Sequence, residues 1–137
     1  MADAVTSQTI LDGERLFIGK FTNISDGTGE SGVIKVDVSA LNPNTAGNAC
    51  NGIKINKLWA QTQGMSVDIL WDATSDVLCE TIPENQFYLM DYSSFGGLPN
   101  NAGTGVTGDV LFTTVGAASG DRYTIVIEGI KTYANPA

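Results

Sequence analysis

Between Met65 and Trp71 the chain alternates almost without fault. Met65, Val67, Ile69 and Trp71 are apolar, Ser66 and Asp68 between them are polar, and only Leu70 breaks the polar side. A period of two is the mark of a half-buried strand, whereas an amphipathic helix needs a period near 3.6. The same alternation returns over Ile34, Val36 and Val38. It returns again over Tyr123, Ile125, Ile127 and Tyr133, where Gly129 and Lys131 interrupt it. No segment carries a convincing helical period, so the chain reads as all-β.

The remaining strands follow from apolar runs bounded by turn residues. Glu14 to Ile24 reads as a strand with Leu16, Ile18 and Ile24 on one face and Phe17 and Phe21 on the other. Ile53 to Gln63 reads as another, with Ile53, Ile55 and Trp59 on one face and Leu58 opposite, and Gly64 at a hairpin position. Shorter strands are expected over Asp76 to Thr81, Gln86 to Tyr92 and Val110 to Val115. Turn clusters such as Ser25-Asp26-Gly27-Thr28-Gly29 and Gly116 to Asp121 separate them. About eight short strands with turns at roughly 8–12-residue spacing predict a single-domain antiparallel β-sandwich. The expected topology is a jelly roll. The alternative is an Ig-like sandwich, although its Cys…Trp…Cys spacing is missing. Residues 1–13, small and polar and ending at Gly13, read as an extended N-terminal arm, and residues 14–137 as the sandwich domain.

Composition narrows the function. The chain has no histidine, the usual proton carrier near neutral pH and the commonest metal ligand. Ser and Thr are abundant, but no base stands beside them in a recognisable motif. The net charge is −8, and Arg15, Lys20, Lys35, Lys54, Lys57, Arg122 and Lys131 are scattered, so the basic footprint of a nucleic-acid binder is not seen. No apolar run approaches the roughly 18 residues of a membrane span. Met1 to Asp12 lacks the basic and apolar regions of a secretory signal, so none is expected. Cys50 and Cys79 do not make a disulfide framework, and Cys79, within Val77-Leu78-Cys79, is expected to be a buried thiol.

Candidate chemistry is sparse. Asp68 and Asp72 fall on one strand face about 13 Å apart, at ~3.3 Å per residue. That is wider than the roughly 6.5–9.5 Å of an inverting glycosidase pair. Asp26-Gly27-Thr28-Gly29-Glu30 is rich in oxygen but lacks the alternating acidic pattern of a calcium loop. Neither a cofactor, a metal nor a catalytic residue is assigned. Gly96 to Gly108 has no Gly-Lys-Ser/Thr, so it is not a phosphate loop. The segment Ser93 to Gly108 is instead a long connection of the kind that usually carries function. Its residues Phe95, Leu98, Pro99, Asn100 and Asn101 are the candidate contacts with a protein partner. Trp59, Trp71, Tyr88, Tyr92 and Tyr123 are a possible aromatic platform for sugars, with Trp71 assigned to the core.

Three segments carry a resemblance. They are Phe21 to Glu30 continuing to Lys35-Val36-Asp37-Val38-Ser39, then Gly64 to Val77 with Leu70-Trp71-Asp72-Ala73-Thr74 at its centre, then Asp91 to Thr114. In texture this resembles the small virion structural proteins of tailed bacteriophages that act as capsid decoration or cement proteins. The resemblance implies a non-enzymatic protein made in the host cytoplasm. It would bind the major capsid protein on the outer surface of the virion shell, as a homodimer or homotrimer bridging neighbouring capsomers. Neither nucleic acid nor membrane is an expected partner. A carbohydrate-binding β-sandwich module using Trp59 or Tyr92 is the alternative.

Overall fold

The computed structural model describes residues 4–133, with Tyr88 through its backbone only. Within them the alternating segments are strands: β1 (Ala4–Asp12), β2 (Leu16–Ile24), β3 (Val33–Val36), β4 (Cys50–Gln63), β5 (Ser66–Trp71), β6 (Val77–Ile82), β7 (Phe87–Asp91), β8 (Val110–Val115) and β9 (Arg122–Tyr133). The helical elements among the described residues are single 3-10 turns at Val38–Ala40 and Ser93–Phe95. The strands form a five-stranded sheet in the order β1-β2-β9-β4-β7 and a four-stranded sheet in the order β3-β8-β5-β6. Every pairing is antiparallel. The chain is an all-β, antiparallel sandwich.

The pairings are nested. β2 lies beside β9, β3 beside β8, β4 beside β7 and β5 beside β6, as though one long hairpin closed at the β5–β6 turn had been rolled up. An immunoglobulin order would set the second strand beside the fifth, and that order is not adopted. Nesting means that consecutive strands mostly cross from one sheet to the other. Gly64 is therefore a corner between sheets and not the hairpin that its sequence suggests. Its φ is +80°, and a Cβ there would lie 2.1 Å from Asp121 Oδ1, so glycine is required twice over.

The alternation of β5 points Met65, Val67, Ile69 and Trp71 into the space between the sheets, where each is at most 1% exposed. From the opposite sheet, Phe17 and Phe21 of β2 and Tyr123, Ile125 and Ile127 of β9 meet them in one cluster. Burying each large side chain of this kind stabilises the fold by roughly 1.5–3 kcal/mol. Aromatic rings stitch the two layers together. Phe112 of β8 takes Phe21 edge-on at 5.5 Å and Tyr123 at 5.8 Å. Gly19, between the two β2 phenylalanines, leaves room for their rings, because a Cβ there would come within 2.7 Å of Phe17.

Two expectations of strand phase are corrected. In β3 an irregularity at Lys35 turns Ile34 outward, 51% exposed, off the buried face of Val36 and Val38 with which alternation grouped it. In β4 a bulge at Asn56 sets two residues against one on β9 and reverses the phase of the strand. Ile53 and Ile55 face the core before it, and Leu58, Ala60 and Thr62 face it afterwards. Trp59 is thereby turned to the outer face, opposite to its expected side. The expected N-terminal arm is, over its described part, the edge strand β1, paired along β2 from Ala4↔Ile24 to Asp12↔Phe17. Residues 1–3 of that arm lie outside the described residues.

Buried charges hold the strands at two points. Glu30 turns inward and receives hydrogen bonds from Asn23 Nδ2 at 2.9 Å and the Tyr123 hydroxyl at 2.5 Å. Its other oxygen pairs with Lys35 Nζ at 2.5 Å. The end of the loop that looked like an open, oxygen-rich turn is thus a buried tie between β2, β3 and β9. At the other end of the sheet, Lys131 has a fully buried side chain. It donates to Asp12 Oδ1 at 2.5 Å and to the Gly13 and Asn42 carbonyls at 2.8 Å each. Burial disfavours its charge, but the hydrogen bond and charge of Asp12 outweigh this and hold the Lys131 ammonium above its ordinary pKa. The stability from this site is therefore complete below the ordinary lysine range and is lost as pH rises through the raised value.

Removing one partner costs most when the group left behind is the more deeply buried. The Lys131 side chain is fully buried, whereas Asp12 is partly exposed and keeps the Asn42 N–H. Asp12→Ala, which strands a buried ammonium, should lower stability by about 3 kcal/mol, and Lys131→Met by about 1 kcal/mol. Urea unfolding at pH 8 checks the order of the two. The same titration carried to strongly alkaline pH should show a loss in wild type that is smaller in Lys131→Met.

Candidate functional site

On the outer side of the second sheet the register aligns a row of aliphatic side chains that is exposed at its two ends. Directly opposed residues of antiparallel strands point to the same face. The register sets Ile34 opposite Leu111, Leu111 opposite Leu70, and Leu70 opposite Leu78. An aliphatic row thus crosses all four strands, spanning about 14 Å at ~4.8 Å per strand. The outer pair, Ile34 and Leu78, are 51% and 54% exposed, and Leu111 is covered by its neighbours. On the next row Thr113, Asp68 and Thr81 are polar, and the Thr81 hydroxyl donates to Asp68. The row is therefore a stripe with a polar border.

At Leu78 the stripe meets the long loop. Leu78, Cys79, Trp71, Leu98, Pro99 and Asn101 line a shallow cavity of about 210 Å³. The loop is pinned where it crosses the end of the sandwich. Leu98 and Ile55 exchange two backbone hydrogen bonds, of 2.7 and 3.1 Å. Thr74 N donates to the Thr104 carbonyl, and the Thr107 hydroxyl to Asp72 Oδ2 at 2.8 Å. The Asn100 side chain accepts from Ala102 N and closes a local turn. Where the loop returns to β8, Asp109 accepts from Val38 N. Burial first, and then the charges of Asp37 and Asp72, hold the Asp109 carboxyl above the ordinary aspartate range.

The five expected contact residues therefore have different positions. Leu98, Pro99 and Asn101 share the cavity beside Leu78. Asn100 faces the other side with Pro99, towards Asn51 and Lys54. Phe95 stands apart from both cavities. It is 63% exposed and leans on Tyr92, ring centroids 5.8 Å apart, while the Tyr92 hydroxyl donates to Glu80 of β6. Leu98 is half-buried and packs on the core, so its first role is to hold the loop.

Sequence reading missed the strand residues Ile34 and Leu78. The available signal was Leu70 and Leu111, both apolar at positions where alternation calls for polar side chains. Two further exposed apolar residues, Phe87 at 79% and Leu89 at 54%, lie on β7 at the far edge of the first sheet. Trp59 is half-buried on that sheet's outer face, between Val126 and Leu89. Tyr92 is buried and bonded through its hydroxyl, so its ring is not offered to a sugar. Cys50 and Cys79 are both free thiols. Burial, followed by the charge of Glu80, pushes Cys79 up to about 12. Among the described residues no group of three or more Cys, Asp or Glu is placed to hold a metal ion, and no helix is long and apolar enough to cross a membrane.

No protein-family model matches the chain, and no curated protein matches it in sequence.

The loop geometry separates a contact residue from a structural one. Phe95→Ser should change unfolding stability by less than about 0.5 kcal/mol. Leu98→Ala should cost about 2 kcal/mol through the space left against the core. Paired urea titrations of the two variants check this.

Proposed function

We propose that this chain is a structural virion protein of a tailed bacteriophage, a jelly-roll sandwich that binds the outer surface of the capsid and cements neighbouring capsomers. The observation that carries the reading is the aliphatic stripe Ile34–Leu111–Leu70–Leu78 running into the pinned loop at Leu98 and Pro99. Apolar side chains exposed at Ile34 and Leu78, joined through half-buried Leu70 and covered Leu111 and set beside polar rows, are what a protein-binding site presents. A loop tied down at both ends loses little freedom when a partner covers it. The nested strand order supports the jelly-roll reading. The net charge of −8 supports placement on the outer side of the shell, away from packaged DNA. The resemblance of the three segments to phage decoration proteins points the same way.

On this reading the partner is the major capsid protein, with copies of this chain beside one another on the shell. Modest single contacts suffice, because a protein that binds only the assembled shell stabilises it by mass action. Cementing is a binding function and assigns no catalytic role to any residue.

Co-sedimentation with mature capsids that lack the protein is the test. Wild type should pellet with the shells. Ile34→Glu combined with Leu78→Glu should weaken binding at least tenfold, with the unfolding midpoint little changed because both side chains are about half exposed. Failure of wild type to pellet, or undiminished binding by the variant, contradicts the proposal.

A further inference from the structure

We infer that β1 is a self-association edge, along which two copies of this chain join antiparallel to make one continuous sheet of ten strands.

The sandwich has four strand edges, and three are blunted in the usual ways. β3 has only four residues and carries Lys35. β6 carries Glu80 and is followed by Pro83. β7 is five residues long, ends in Asp91 and follows Glu84. β1 is different. It is nine residues long, its bulge at Ile10 leaves a regular run of six residues from Ala4 to Thr9, and from Ala4 to Leu11 it has no charge and no proline. Such an edge offers a row of backbone N–H and C=O groups to another strand.

The fold also leaves β1 accessible, although Ser7, Gln8 and Thr9 line an open cavity of about 210 Å³ with Lys35, Val36 and Leu41. The first sheet has five strands and the second has four, so β1 overhangs the sandwich, and Ala4 to Leu11 are exposed throughout. Val5, Ile10 and Leu11 are 41%, 52% and 42% exposed along it. Among the described residues nothing pairs with its outer edge. The strand is nonetheless held in place. It pairs with β2 on both sides of the bulge at Ile10, the Thr6 and Thr22 hydroxyls are bonded to each other, and Asp12 is locked to Lys131. An edge held in this way is already extended, so little ordering is needed to pair it.

The second copy is the occupant that the chemistry selects. A two-fold axis normal to the sheet keeps each face on its own side, so residues of the same parity oppose one another. Centred on Ser7, the register sets Ser7 against Ser7, Thr6 against Gln8 and Val5 against Thr9. Centred on Gln8, it sets Gln8 against Gln8 and Ser7 against Thr9. Every such pair is uncharged, so two molecules of net charge −8 meet along a strip where neither carries charge. The contact is isologous and closes at two copies.

The pairing needs no shell, so its test is separate from capsid binding. Analytical ultracentrifugation of wild type over 1–200 μM should show a monomer–dimer equilibrium. Ser7→Lys combined with Gln8→Lys places like charges across the strands in both registers. It should raise the dimer dissociation constant at least tenfold, while circular dichroism reports the same unfolding midpoint within a few degrees. A wild type that stays monomeric at 200 μM, a closed trimer, or a variant that dimerises as wild type does would each overturn the inference.

Discussion

The shared apolar layer between the two sheets is the constraint on which the other features depend. Met65, Val67, Ile69 and Trp71 project from one side, and Phe17, Phe21, Ile125 and Ile127 from the other. A shift of one residue in any of these strands would turn its buried side chains outward. Burial thus sets the register, and the register decides which side chains lie in line on the outside. The row Ile34–Leu111–Leu70–Leu78 exists because Val67, Ile69, Val110 and Phe112 must face inward. The aliphatic row is therefore as rigid as the core beneath it.

Where the apolar layer reaches its ends, charge takes over. Glu30 with Lys35 and Lys131 with Asp12 are buried pairs whose remaining hydrogen-bonding capacity is met by Asn23, Tyr123 and backbone carbonyls. Such pairs add little net stability compared with apolar packing, but each has only one good arrangement. One ties the 25–32 loop to the core, and the other ties the last residue of β1 to β9. Together they keep a sandwich with few charged residues from sliding in register.

Strand content and the inward faces of β5 and β9 were legible because strict alternation has one physical meaning. The phase of β4 was not, since the bulge at Asn56 depends on partners far away in sequence: Glu128 takes its side chain and Tyr92 N its carbonyl. Gly64 reads as a hairpin glycine because hairpins and inter-sheet corners both call for positive φ. Residues 4–12 read as an arm because β1 overhangs the sandwich and buries little, so it lacks the core alternation that marks a strand. Of the candidate surface, the loop residues were legible from exposure expected of a connection. Ile34 was not, because the irregularity at Lys35 reverses its phase relative to Val36, and Leu78 was not, because a row across four strands appears only when the register is known.

The second sheet and the 93–108 loop meet where Leu78 shares a cavity with Leu98 and Pro99. Hydroxyl-radical footprinting of the protein, free and bound to mature shells, reads those side chains directly. Ile34, Leu78, Phe95 and Pro99 should be oxidised in the free protein and protected on the shell, while Phe87 and Leu89 of the first sheet stay reactive. Protection confined to Phe87 and Leu89, with Ile34 and Leu78 unchanged, would contradict the assignment of the contact face.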